Sequence, residues 1–149
     1  MRWLIAIGAG IIAALIAVLL IEGFGSLLYP LPELRGAIDP RAQAQLIPNQ
    51  PFFAKLIILI AWGGGTMVGA GVTIHLGGRR IFAFLVALAV MIRNSFTLSA
   101  MAYPGWMWFA AVLLPLVGAW ATWRYMPRRA PAVPAEPAGT MPNPPSGWY

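Results

Sequence analysis

The sequence predicts an all-α fold: a four-helix transmembrane bundle with both termini in the cytoplasm. Three observations predict it. Four apolar runs span residues 3–28, 52–76, 81–102 and 105–125, each close to or above the roughly 20 residues a helix needs to cross a bilayer core. Proline or glycine stands at every break between them. Most of the arginines flanking the runs gather at alternate ends, on one side of the expected membrane.

Composition points the same way. The chain is 60% hydrophobic and 9% charged, whereas a soluble domain carries about 25% charge. One aqueous core cannot hide that much apolar surface, so the lipid bilayer is the expected partner of the outer faces. Cysteine is absent, which excludes disulfides, thiolate metal sites and thiol nucleophiles. The expected organisation is one transmembrane domain over residues 1–126 and a cytoplasmic Pro/Ala-rich tail over 127–149.

The net charge of +6 raises nucleic acid as a partner, but the positions of the charges argue against it. Arg2, Arg79, Arg80, Arg124, Arg128 and Arg129 flank the runs on one side; Arg35, Arg41 and Lys55 lie on the other, beside Glu33 and Asp39. This is the positive-inside bias of cytoplasmic loops. No basic patch with interleaved aromatics stands outside the membrane, as a nucleic-acid surface requires.

The first run is apolar on all sides and too long for a signal h-region of about 7–15 residues, so it reads as an uncleaved helix. It ends at Tyr29-Pro30-Leu31-Pro32, where proline removes backbone donors. The following loop holds prolines 30, 32, 40, 48 and 51. Asp39 is a good N-cap and Pro40 a good first helical residue, which predicts a short extracytoplasmic helix between the first two spans. The second span begins after Pro51, with Lys55 expected to extend outward to the headgroups. Its middle is rich in glycine, and Gly65-x-x-x-Gly69 permits close approach of another helix. Thr66 and Thr73 share that face.

Gly77-Gly78-Arg79-Arg80 predicts a tight turn into the third span, and Tyr103-Pro104-Gly105 a second turn into the fourth, which carries Pro115 as a kink site. Trp106 and Trp108 at one end, with Trp120, Trp123 and Tyr125 at the other, form the aromatic belts of a spanning protein. Seven of the 23 residues from Pro127 onward are proline, so the tail is expected to be extended and disordered alone. Its Pro131, Pro134 and Pro137 spacing suits one face of a polyproline II helix, and Trp148-Tyr149 suits an anchoring point.

Residues 5–13 match a dinucleotide fingerprint by letter, with Gly8, Gly10 and Ala13 in register. The strand, turn and distant acid that give the fingerprint its chemistry are missing. Ala6, Gly10 and Ala14 are instead expected to form a small-residue packing seam. His75 stands alone near a helix end and is expected at the interface; one histidine without companions makes no metal site. Ser95 and Ser99 are expected to bond back to the preceding turn. Gly23-Phe24-Gly25-Ser26 lacks the partners of a nucleophile elbow. The expectation is a non-enzymatic protein with no metal and no cofactor.

Glu22 and Arg93 carry the most information. Ionisable groups within membrane helices face the interior or pair with one another. At the helical rise Glu22 lies about 9 Å and Arg93 about 14 Å below the outer ends of their spans, and arginine's reach closes the difference. Asn94 and Thr97 lie within about 100° of Arg93 around the helix and are expected to complete the pair's hydrogen bonds. Three readings are open: a buried pair that fixes helix order, a site for a proton, ion or anionic ligand, or separate extension of both groups to water.

Glu22, Tyr29-Pro30-Leu31-Pro32, Arg79-Arg80, Asn94 and Tyr103-Pro104-Gly105-Trp106 together resemble small four-pass inner-membrane proteins of bacteria over residues 1–126. That resemblance implies a four-helix architecture in the inner membrane and carries no activity. The first functional expectation is an accessory or structural subunit packing against other membrane proteins or its own copies through glycine seams. The alternative is a small oligomeric transporter or channel built on Glu22, Arg93, Asn94 and Thr97.

Overall fold

The computed structural model describes residues 2–29, 50–100 and 103–127. The expected short helix at Asp39-Pro40 and the proline-rich tail beyond residue 127 lie outside them. Among the described residues, four long helices make up the fold: α1 (Arg2–Leu28), α2 (Phe52–His75), α3 (Ala83–Ala100) and α4 (Trp106–Tyr125), with one 3-10 turn (Arg80–Phe82) leading into α3. All four spans are long and apolar enough to cross a membrane. The protein is thus a multi-pass membrane protein, an all-α four-helix bundle.

α1 packs chiefly on α2; α4 packs on both α2 and α3, and α3 closes on α2 and α1. α2 therefore touches every other helix, while α1 and α4 stand on opposite flanks. The N-terminus of α1, the C-termini of α2 and α4 and the start of α3 share one end. Two contacts tie the elements at that end: Trp3 packs on Phe82 with ring centroids 5.9 Å apart, and Arg80 donates to the Met126 carbonyl. His75 is exposed at this same end.

The core is built from small residues. Ala6, Gly10, Ala14 and Val18 are the buried stripe of α1, spaced four residues apart as one helix face requires. They meet Gly65, Gly69 and Thr73 of α2: a Cβ added at Gly10 would stand 2.6 Å from the Gly69 carbonyl oxygen, and one at Gly69 would stand 2.5 Å from Ala14 Cβ. The glycine seams of α1 and α2 are thus used against each other, inside one chain. Gly118 of α4 makes a second close approach, where an added Cβ would lie 2.6 Å from Gly63 O of α2. Around these crossings α1 exposes Leu4, Ile5, Ile12, Ile16, Leu19 and Leu20. In water such a surface would aggregate; in lipid it is the solvated face.

Lys55 departs from expectation. It is buried, 8% exposed, because it shares a face with Ile58 and Trp62 at the i+3 and i+7 positions, and that face turns into the bundle. Ser95 and Ser99 donate to carbonyls of their own preceding turns, Met91 O at 2.9 Å and Ser95 O at 2.6 Å.

The turn after α2 is a Schellman cap. Gly77 has φ of 92°; its N–H reaches Ile74 O at 3.1 Å and the Gly78 N–H reaches Thr73 O at 2.9 Å. These bonds satisfy carbonyls the helix end leaves open. A side chain at Gly77 must adopt the left-handed region, so Gly77→Ala is expected to lower thermal stability in detergent by about 1–2 kcal/mol. An unchanged melting temperature would refute that assignment.

Candidate functional site

α1 runs as one helix through Glu22 because its apolar residues leave nothing to break it, and Glu22 falls one turn beyond the buried Val18. That register turns the carboxylate toward the bundle. Arg93 arrives from α3, which runs in the same direction. Its Nη1 donates to Glu22 Oε1 at 2.8 Å and its Nη2 to Glu22 Oε2 at 2.6 Å. This fork-to-fork geometry is the strongest form of a guanidinium–carboxylate contact. Trp62 of α2 adds a third bond, its indole Nε1 donating to Glu22 Oε1 at 3.2 Å. Three helices are thereby joined at one carboxylate.

Two of the expected partners behave differently. Thr97 donates to Arg93 O of its own helix at 3.2 Å, the ordinary back-bond of a threonine four residues on. Asn94 is fully buried, yet neither Asn94 Oδ1 nor Nδ2 has a partner among the described residues. The step of about 100° from Arg93 turns Asn94 away from the carboxylate and into the bundle. Trp62 takes the role instead. Its sequence signal was its position: the tryptophans of the belts lie near span ends, whereas Trp62 lies in the middle of α2.

The pair is not sealed. The Arg93 and Glu22 side chains keep 25% and 22% of their surface exposed, and both line a cavity of about 410 Å³. Ser26, Tyr29, Gln50, Thr97 and Tyr103 supply its other polar groups, and Gly25, Ala54, Ile57 and Ile58 its apolar wall. The cavity opens at the end of the bundle opposite the arginine-rich turn. Burial, with the Glu22 charge adding to it, raises the Tyr103 phenol above its ordinary value, and Arg93 opposes the shift. Tyr103 therefore keeps its O–H at neutral pH and stands as a hydrogen-bond donor.

Beside and beneath the cavity the helices are packed together. Val18, Ala61, Trp62, Leu98, Met107 and Ala111 form one buried cluster, and Ala14, Val86 and Val90 the next. Besides Asn94, the buried polar residues here are Thr66 and Thr73 of α2 and Thr122 of α4, which donate to Trp62 O, Gly69 O and Gly118 O of their own helices. Among the described residues, no group of three or more His, Cys, Asp or Glu side chains converges to hold a metal ion.

The fold and this site together define a class: a multi-pass membrane protein with a partly exposed ion pair inside its bundle. Comparison with family models, curated proteins and solved structures finds no match to the chain. The resemblance to small four-pass bacterial proteins thus rests on the quoted motifs alone, and what stands apart from it is the four-helix membrane architecture.

Proposed function

We propose that the protein is a small oligomeric transporter or channel that takes up a polar solute at the Glu22–Arg93 pair. The observation that carries this reading is the exposure of that pair within a 410 Å³ cavity. Partial exposure lowers the desolvation cost of the pair and leaves it within reach of a solute. Here an intramembrane carboxylate and guanidinium keep about a quarter of their surface open, and intramembrane ionisable groups facing a cavity are functional-site candidates by default. Accessory packing has less in its favour, because the glycine seams it relied on meet each other within the chain.

Four helices in one copy leave little width for a continuous path, so several copies act together. On the positive-inside bias, the arginine-rich end faces the cytoplasm with both termini, and the cavity opens outward. The bacterial inner membrane is the setting that the motif resemblance supplies. The chain acts without covalent chemistry.

Flux into proteoliposomes holding the full chain tests the reading. Glu22→Gln and Arg93→Gln should each lower solute uptake by about tenfold or more, the scale set by losing a charge-assisted hydrogen bond. The double variant should regain stability but not uptake. Equal uptake by wild type, both single variants and empty liposomes would sink the proposal.

A further inference from the structure

Glu22 and Arg93 line the cavity as a pair, and the pair has no net charge. A single ion beside it meets attraction from one member and repulsion from the other, and the two nearly cancel at similar distances. A solute carrying both signs is attracted twice when it lies antiparallel to the pair. The bonds already made leave room for it. A guanidinium has more N–H donors than the two that Arg93 uses on Glu22. Glu22 accepts three bonds, and a carboxylate takes about four. A third group can therefore bind both side chains without parting them, which avoids stranding either charge.

Two more groups on the wall of the same cavity add direction. Gln50 Oε1 is buried and has no hydrogen-bond partner among the described residues. A carboxamide oxygen only accepts, and an unpaired buried one costs its desolvation, so it calls for an N–H or O–H donor from the occupant. The Tyr103 hydroxyl, which keeps its proton, is the complementary donor. Acceptors at Glu22 and Gln50 suit a cationic N–H group; donors at Arg93 and Tyr103 suit an anion. Ile57 and Ile58 offer apolar surface for carbon. The volume of about 410 Å³ lies within the range of small-molecule sites.

We infer that the occupant is a small zwitterion joining a primary ammonium to an anionic group. The ammonium lies at Glu22 and Gln50 Oε1, and the anion at Arg93 and the Tyr103 hydroxyl. The inference deepens the transport reading and rests on it. Two sources share this chemistry: a free α-amino acid, with its side chain against Ile57 and Ile58, and the ethanolamine phosphate headgroup of a lipid. In either case the loaded site has zero net charge, which avoids the cost of an unpaired charge within the bilayer.

The experiment uses the full chain in phosphatidylcholine proteoliposomes, with alanine, glycine betaine, urea, potassium and chloride as probes. A second arm reads the melting temperature in detergent with each solute, and with added phosphatidylethanolamine or phosphatidylcholine. Alanine uptake should exceed that of empty liposomes, with potassium and chloride at the empty-liposome level. Betaine carries both charges but no N–H. Its half-saturating concentration should lie about tenfold above that of alanine, the scale of one hydrogen bond to a charged group. Gln50→Leu should raise the alanine value by the same factor and leave that of betaine unchanged, a split that a general loss of structure does not produce. Gln50→Glu, which keeps an acceptor oxygen there, should retain the alanine value. Equal values for alanine and betaine, unmoved by Gln50→Leu, would overturn the ammonium contact. Stabilisation by phosphatidylethanolamine, with none by alanine or phosphatidylcholine, would assign the same chemistry to the lipid headgroup. Uptake of urea, potassium or chloride, with neither uptake of nor stabilisation by any zwitterion, would overturn the assignment and leave the transport reading standing. Stabilisation by alanine without flux of any probe would keep the zwitterion site and overturn transport. No flux and no stabilisation would overturn both.

Discussion

Glu22→Gln is expected to destabilise the bundle in detergent by about 2 kcal/mol, measured by thermal or denaturant unfolding. Removing one partner of a fully buried pair costs roughly 3–5 kcal/mol; the cavity lets Arg93 recover part of that through water, because the pair is about a quarter exposed. Arg93→Gln should cost a similar amount, since it strands the carboxylate with the single indole donor of Trp62. The double variant Glu22→Gln/Arg93→Gln should regain much of the loss, because two neutral amides can bond each other without a stranded charge. Additive losses in the double variant would mean that the two residues are not coupled in the membrane protein.

The second large effect lies at the α1–α2 crossing. Gly69→Leu is expected to cost more than the roughly 1–3 kcal/mol of ordinary overpacking. The atoms an added Cβ would meet are Gly10 O, Ala14 Cβ at 2.5 Å and Ala14 N at 3.0 Å. Two of these belong to backbone, which cannot rotate aside as a flexible side-chain tip can. The helices must part, and with them Trp62 and Glu22, which are joined across the same interface. Loss of the folded state in detergent, or a fall in melting temperature well beyond that of Gly77→Ala, is the expected readout. Gly8→Ala is the control: nothing lies within 4 Å of its added Cβ, so its effect should stay within about 1 kcal/mol. Equal behaviour of the two variants would show that the crossing is not as close as these contacts require.

The two glycine effects have different legibility. Gly65-x-x-x-Gly69 and the Ala6, Gly10, Ala14 series announce close packing by their spacing alone, because only small side chains let helix axes approach in lipid. Spacing does not say which helix approaches. A seam that faces a partner protein and a seam that faces the next helix of the same chain have the same letters. Gly118 was harder still: it lies in a helix apolar on every side, so no polar stripe marks its inward face, and its contact with Gly63 O emerges only with α2 and α4 in place.

The site follows the same division. The depths of Glu22 and Arg93 along their helices follow from a fixed rise of about 1.5 Å per residue, and that arithmetic leaves a gap of about 5 Å that the arginine side chain spans. Their angular meeting depends on how α1 and α3 rotate about their axes. Asn94 illustrates the limit. It follows Arg93 directly, and a share in the same hydrogen-bonded group is the natural expectation, yet the turn of the helix sends it into the bundle without a partner among the described residues. Trp62 took up the third bond from another helix 40 residues away in sequence. Lys55 was misread for a related reason: its nearness to a helix end suggested the headgroups, but the face it shares with Trp62 turned it inward.

The amino-acid order therefore settles the solvent, the number of spans and the depth of each polar group, because apolar length and helical rise are local quantities that need no neighbour. Which seam meets which, which indole reaches Glu22, and whether the ion pair lies sealed or opens on a cavity were decided by tertiary packing. Those outcomes depend on helix rotation about the long axis. In helices apolar on almost every side, no local pattern sets that rotation; the fit of glycine against glycine and carboxylate against guanidinium does.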